Sequence, residues 1–259
     1  MSKPSPARFI DLSASIANSP EGTPEPLKTR LQYAGHAQGA AEIEQLFGVD
    51  AGGLRDGEGW ATESLTQLGT HSTTHVDAPL HYNSMIGGQP AQSIDELPLE
   101  WFHAPGIKLD FHERADGEVI TLSDVQAALR ASGHKLRPLD IVLIQTGRDE
   151  FLAAPDYLFR GPGVSAEATL WLYDQGVRVM GIDAWGWDAP LNRQAQQAGR
   201  PSQPGIFWAA HQIDRAYSQI ERLVNLHLLP ASGFTVICFP LKILRGSAGP
   251  ARVVALLDE

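Results

Sequence analysis

The run Asp140-Ile-Val-Leu-Ile-Gln-Thr146 constrains this chain more than any other stretch. Four successive aliphatic residues put apolar side chains on both sides of a strand, and such a strand has to be covered on both faces. Ser165 then caps a helix that carries Leu170, Leu172 and Tyr173, and Gly176 is placed to end it. Val177-Arg-Val-Met-Gly-Ile182 returns as a strand, so residues 140–182 read as one strand-helix-strand unit.

The flanking thirds of the chain are richer in strand patterns. Residues 8–16 alternate as an early strand before a Pro-rich loop at 19–26, and residues 37–47 carry a weak helical pattern ended by Gly48. Gly106-Ile-Lys-Leu-Asp-Phe111 alternates, and Ser123-Asp-Val-Gln126 has the signature of a capping box opening a helix. Residues 234–239 and 252–257 supply two late strands. The expected fold class is α/β: a single domain over residues 1–259 with a mixed sheet or partial barrel and packed helices. No composition break marks a linker, and 25 Gly with 18 Pro imply many turns.

Chemistry concentrates in His71-Ser-Thr-Thr-His75-Val-Asp77-Ala-Pro79-Leu-His81. Imidazole and carboxylate are the side chains that bind borderline divalent cations, and scattered loop polarity seldom reaches this density. A continuous strand would put all four on one face but would hold His71 and Asp77 roughly 20 Å apart, beyond the reach of one ion. A continuous helix would bring His71 and His75 together and turn Asp77 about 240° away. The segment therefore curls, as a turn or short helix leading into extended chain near Asp77. Pro79 suits that path because it disfavours helical geometry at Ala78.

A net charge of −10 without a basic patch argues against nucleic acid and anionic membrane surfaces as partners. The single cysteine, Cys238, sits in an apolar run and reads as a small buried hydrophobe, so a cysteine-rich zinc site is excluded. The start of the chain lacks a signal-peptide pattern, and no stretch approaches about 20 apolar residues, which sets the expected location as cytoplasmic. Gly-x-Ser-x-Gly elbows and Gly-rich phosphate loops are absent, which moves covalent and phosphoryl chemistry down the order.

With that cluster in view, the chain resembles the cyclase family of metal-dependent hydrolases, which includes bacterial kynurenine formamidases and isatin hydrolases. The family pattern His-x-Gly-Thr-His-x-Asp-x-Pro-x-His matches residues 71–81, with Thr73 standing where the family has Gly. The likeness continues through Asp11-Leu12-Ser13, Gly181–Asp188, Gln219–Asn225 and Gly233–Lys242. It implies a swivelling β/β/α fold, a homodimer or higher homo-oligomer, and residues 1–30 as an N-terminal arm reaching toward the partner. It also implies His71, His75 and Asp77 as ligands of one or two divalent ions, Zn²⁺ or Mn²⁺, and His81 as the catalytic acid/base. The family's later ligands are a His and a Glu twelve residues apart. Glu221 matches the second, while the nearest histidine to the first is His211, ten residues earlier.

A cation held by two His and a carboxylate lowers the pKa of water to about 7 and polarises a carbonyl. Expelling an amine also requires a proton carrier, and an imidazole with a pKa near 6.5 can serve. The expected activity is hydrolysis of the C–N bond of a small aryl amide, with N-formylkynurenine giving kynurenine plus formate, a tryptophan-catabolic arylformamidase, as the leading case. Ring opening of isatin or another cyclic amide or imide is the alternative on the same site. A polyketide-type cyclase or dehydratase and a non-catalytic metal-binding protein are the alternatives of other classes. Trp185 and Trp187 would present a flat apolar wall from one side if the chain there is extended, and Trp60, Phe102 and Trp208 could add to it.

Overall fold

A computed structural model of the chain describes residues 8–257. Along the chain lie β1 (Arg8–Asp11), β2 (Thr29–Ala34), α1 (His36–Phe47), β3 (Thr62–Leu68), β4 (His75–Asp77) and α2 (Pro79–Tyr82). Next come β5 (Met85–Ile86), β6 (Gln89–Pro90), β7 (His103–Asp110), β8 (Val119–Ile120), α3 (Leu122–Ser132), β9 (Ile141–Gln145) and β10 (Gly163–Val164). The remainder is α4 (Ala166–Asp174), β11 (Val179–Ile182), α5 (Leu191–Ala198), β12 (Ser218–Glu221), β13 (Phe234–Ile237), β14 (Ala248–Pro250) and β15 (Val254–Leu257).

Two compact units divide these elements: residues 16–72, and the remainder. The smaller unit is the antiparallel ribbon β2–β3 with α1, whose end is set by Gly48 at φ +70°, a left-handed cap that favours glycine. The larger unit is built on a nine-stranded mixed sheet ordered β1-β15-β13-β7-β9-β11-β12-β4-β14, curled as a half-barrel. Its four central strands, β7, β9, β11 and β12, run parallel, and the flanking pairs are antiparallel. Of the N-terminal stretch read as an arm, residues 1–7 lie outside the described residues, and β1 pairs with β15 at the sheet edge.

The apolar run of β9 behaves as its composition dictates. Ile141 and Leu143 join one buried layer with Val76, Val179, Ile220 and Val236. Val142 and Ile144 join the other with Ile107, Met180, Ile182, Val125 and Leu129 of α3, and Leu172 of α4. All four side chains of the run are fully buried, each contributing about 1.5–3 kcal/mol. Ser165 caps α4 by accepting from the Ala168 N–H at 3.1 Å, and Gly176 follows the helix at φ +94°. The capping box of α3 is displaced from the expected position: Thr121 and Asp124 form it, so the helix starts before Ser123. Thr121 accepts from the Asp124 N–H, which caps the helix two residues ahead of the expected position. Among the described residues no helix is long and apolar enough to cross a membrane.

Candidate metal and catalytic site

In β4, strand alternation sends Val76 into the core and turns His75 and Asp77 to the opposite face. β12 pairs antiparallel with β4, setting Glu221 directly across from His75. His75 Nε2 lies 3.2 Å from Asp77 Oδ1 and 3.7 Å from Glu221 Oε2, and His211 Nε2 lies 3.7 Å from Glu221 Oε1. Ligand atoms of His75, Asp77 and Glu221 all fall within 4.8 Å of one another, and all three residues are buried.

Each of these groups is aimed by a neighbour. The His75 Nδ1–H donates to the Thr73 carbonyl at 2.6 Å, leaving Nε2 to face the carboxylates. Thr73 holds this carbonyl in place without a positive φ, so the local path does not need the glycine of the family pattern. The His211 Nδ1–H donates to Asp188 Oδ2 at 2.5 Å, and Asp188 also accepts the N–H groups of Ala210 and His211. Glu221 Oε1 accepts the Trp187 N–H at 2.9 Å. Arg222, directly after Glu221, turns away at φ +58°, and its carbonyl accepts from Thr74 Oγ1. Such left-handed non-glycine positions persist only where surrounding contacts fix them.

Burial, and then the charge of Asp77, pushes the Glu221 carboxyl above its ordinary range. Burial opposes a charge on His211, but the hydrogen bond and charge of Asp188, with Glu221 and Asp77 beyond, hold its pKa above the ordinary value. Two carboxylates and two imidazoles buried this close fit a divalent cation, which would offset the repulsion that burial magnifies. The donor set of imidazole nitrogen and carboxylate oxygen suits Zn²⁺ or Mn²⁺ alike.

His81 follows from the short helix α2, which Pro79 opens at its first turn. The turn leading into an extended segment at His75–Asp77, with Ala78 extended before the proline, follows the expected path, and the short helix after the proline is the addition. A nitrogen of the His81 ring lies within 4.8 Å of an Asp77 oxygen. The Trp208 ring stacks on His211 at 4.5 Å and 15° and meets the His81 edge at 4.9 Å. Trp208 is half-buried with φ +61°, another position held by context. Beneath them, Tyr82 and Tyr217 are buried, and burial drives both phenols well above their usual range.

The structure thus gathers His75, Asp77, His81, His211 and Glu221. His71 lies in the turn that ends the smaller unit, and its part in the site rests on the sequence motif. The two tryptophans expected to share one side are separated. Trp187 is fully buried and donates from Nε1 to Thr169 Oγ1, while Trp185 is half-exposed beneath the Arg222 guanidinium. The chain between them bends to deliver the Trp187 N–H to Glu221, so extended alternation does not apply. Trp60 belongs to the smaller unit, where its indole donates to Glu42 and its ring meets Phe47. Sequence reasoning missed Asp188, although it closes the Asp183–Asp188 motif, and it left Trp208 as one aromatic among several.

A family model described as Putative cyclase matches residues 10–189. An isatin hydrolase of Roseibium aggregatum is 29% identical over 232 residues, 84% of this chain and 81% of its own. A kynurenine formamidase of Salinibacter ruber is 29% identical over 254 residues, 95% of this chain and 96% of its own. Among solved structures, isatin hydrolase A from Ralstonia solanacearum has a TM-score of 0.72 at 23% identity, covering 97% of this chain and 92% of that one, a likeness of fold. The matched motif, the curled mixed sheet and a family model spanning well over half of the length agree, and this chain belongs to the cyclase family.

Proposed function

We propose that the protein is a metal-dependent hydrolase that cleaves the C–N bond of a small aryl amide, N-formylkynurenine being the leading substrate. The observation that carries this reading is the convergence of His75, Asp77 and Glu221 ligand atoms within 4.8 Å, beside His81. His75, Asp77, Glu221 and His211 would hold the ion, with His71 added from the motif. A bound divalent ion supplies Lewis acidity and an acidified water. His81 takes up a proton and delivers it to the departing nitrogen, which leaves as the neutral amine. Asp188 keeps His211 in the tautomer whose Nε2 faces Glu221, and Thr73 does the same for His75. Trp208, against both His81 and His211, offers the flat wall that favours an aryl group.

Isatin, the cyclic amide, is the second reading, supported by an isatin hydrolase relative at the same 29% identity as the kynurenine formamidase. Assay of the Zn²⁺- and Mn²⁺-loaded protein against N-formylkynurenine, isatin and a cyclic imide side by side decides between them. Turnover of N-formylkynurenine with the highest kcat/KM is expected. Preference for isatin would establish the second reading, and no turnover of any of the three would reject hydrolysis. A homodimer or larger homo-oligomer belongs to the same proposal and is checked by sedimentation equilibrium.

A further inference from the structure

The face of the large sheet turned away from His75, Asp77 and Glu221 carries a second polar cavity that hydrolysis does not use. β7, β9 and β11 run parallel and end level, because Asp110 pairs with Gln145 and Ile144 pairs with Ile182, so Asp183 follows on the third strand. Alternation puts Asp110, Gln145 and Asp183 on the side of Ile141, Leu143 and Val179. Val76 and Ile220 belong to that same layer, which places the metal-ligand candidates on the opposite face.

The row lines a cavity of about 710 Å³, joined by Asp149 and Glu150. Gln145 is 7% exposed, and its Oε1 accepts no hydrogen bond among the described residues. A buried acceptor without a donor is a cost that a ligand N–H would remove. The positive charges nearby are largely committed elsewhere. Arg148 spends its donors on Asp116 at 2.8 Å, the Thr146 carbonyl at 2.8 Å and the Arg114 carbonyl at 2.6 Å. His112 sits between Asp110 and Glu113, 2.8 Å from each. Lys108, two residues back on the same face, brings a single charge close to both Asp110 and Asp183, against four lining carboxylates in all.

The volume is that of an organic-molecule pocket and exceeds what a bare ion requires. Among the described residues, no three imidazole or carboxylate ligand atoms converge here as they do in the metal site. We propose that this cavity is a second binding site, for a small organic cation whose ammonium N–H groups donate to Gln145 Oε1 and to the Asp110 and Asp183 carboxylates.

Isothermal titration of the full chain with 1,4-diaminobutane, with the uncharged 1,4-butanediol and with calcium chloride tests it, each with and without EDTA. The diamine is expected to bind one per chain, about tenfold tighter than the diol, and to be indifferent to EDTA. Gln145→Met keeps the bulk and removes the acceptor, and Asp110→Asn alters an exposed residue with little risk to folding. Each should weaken the diamine about fivefold, with the far-UV circular dichroism unchanged. Equal affinity for diamine and diol, no heat from the diamine, unchanged affinity in Asp110→Asn, loss of binding on chelation, or a response to calcium alone would overturn the proposal.

Discussion

Asp188 Oδ2 stands 2.5 Å from His211 Nδ1 and also accepts the His211 backbone N–H, so one carboxylate fixes both the ring and the loop that carries it. The arrangement dictates which nitrogen is left for a metal, because an Nδ1–H held by a carboxylate leaves Nε2 with its lone pair free to coordinate.

Asp188→Asn therefore weakens metal binding without touching a ligand. A loss of about 10- to 100-fold in Zn²⁺ or Mn²⁺ affinity is expected, measured by competition with a fluorescent chelator. Unchanged affinity would show that His211 takes no part in holding the ion.

His81→Ala separates the proton carrier from the ligands. Turnover should fall by about 10²- to 10⁴-fold while metal content by atomic emission stays at the wild-type level. Metal lost together with activity would make His81 a ligand through its proximity to Asp77.

Glu221→Gln has opposite effects on the metal-free and metal-loaded protein. Burial and Asp77 disfavour the Glu221 charge, and the amide keeps an oxygen for the Trp187 N–H, so the metal-free chain should melt a few degrees higher. Metal addition should then raise the melting temperature much less than in wild type. Calorimetry with and without Zn²⁺ reads both, and an undiminished metal response would exclude Glu221 as a ligand.

Trp208 and Trp187 make opposite predictions despite their shared residue type. Trp208→Ala removes the ring beside His81 and His211 and should raise KM for aryl substrates about tenfold. Trp187→Phe loses the bond to Thr169 in the core and should cost about 1–3 kcal/mol of stability with KM unchanged. Steady-state kinetics alongside urea unfolding distinguish the two roles.

Asp183 gives the fold a pH dependence. Burial raises its pKa to about 6, against donors from Thr146 and Gly147 that pull it down. The folded chain then binds the proton more tightly than the unfolded chain, so this group's contribution makes stability fall as pH rises from about 4 to about 6. The full difference is about 3 kcal/mol and is absent below the unfolded pKa. Carboxyl ¹³C titration of Asp183 should show a midpoint near 6, and a midpoint near 4 would refute it.

What was legible in the sequence is what local chemistry decides. The β9 run had to be covered on both faces because its side chains leave no polar side. Ser165, Gly48 and Gly176 mark helix ends because capping acts over one turn. His75 and Asp77 share a face because two residues apart in a strand always do. The family resemblance named Glu221 and His211 as the residues that complete the site, and tertiary structure alone decided how they reach it. Glu221 faces His75 only because β12 pairs with β4, although the two residues are 146 apart in number, and hydrogen-bond pairing between distant strands has no local signature. Trp185 and Trp187 look equivalent in sequence, yet a bend that delivers one backbone N–H to Glu221 buries one ring and leaves the other half-exposed. The motif supplied the donor atoms, and the strand order set the distances at which they can act together.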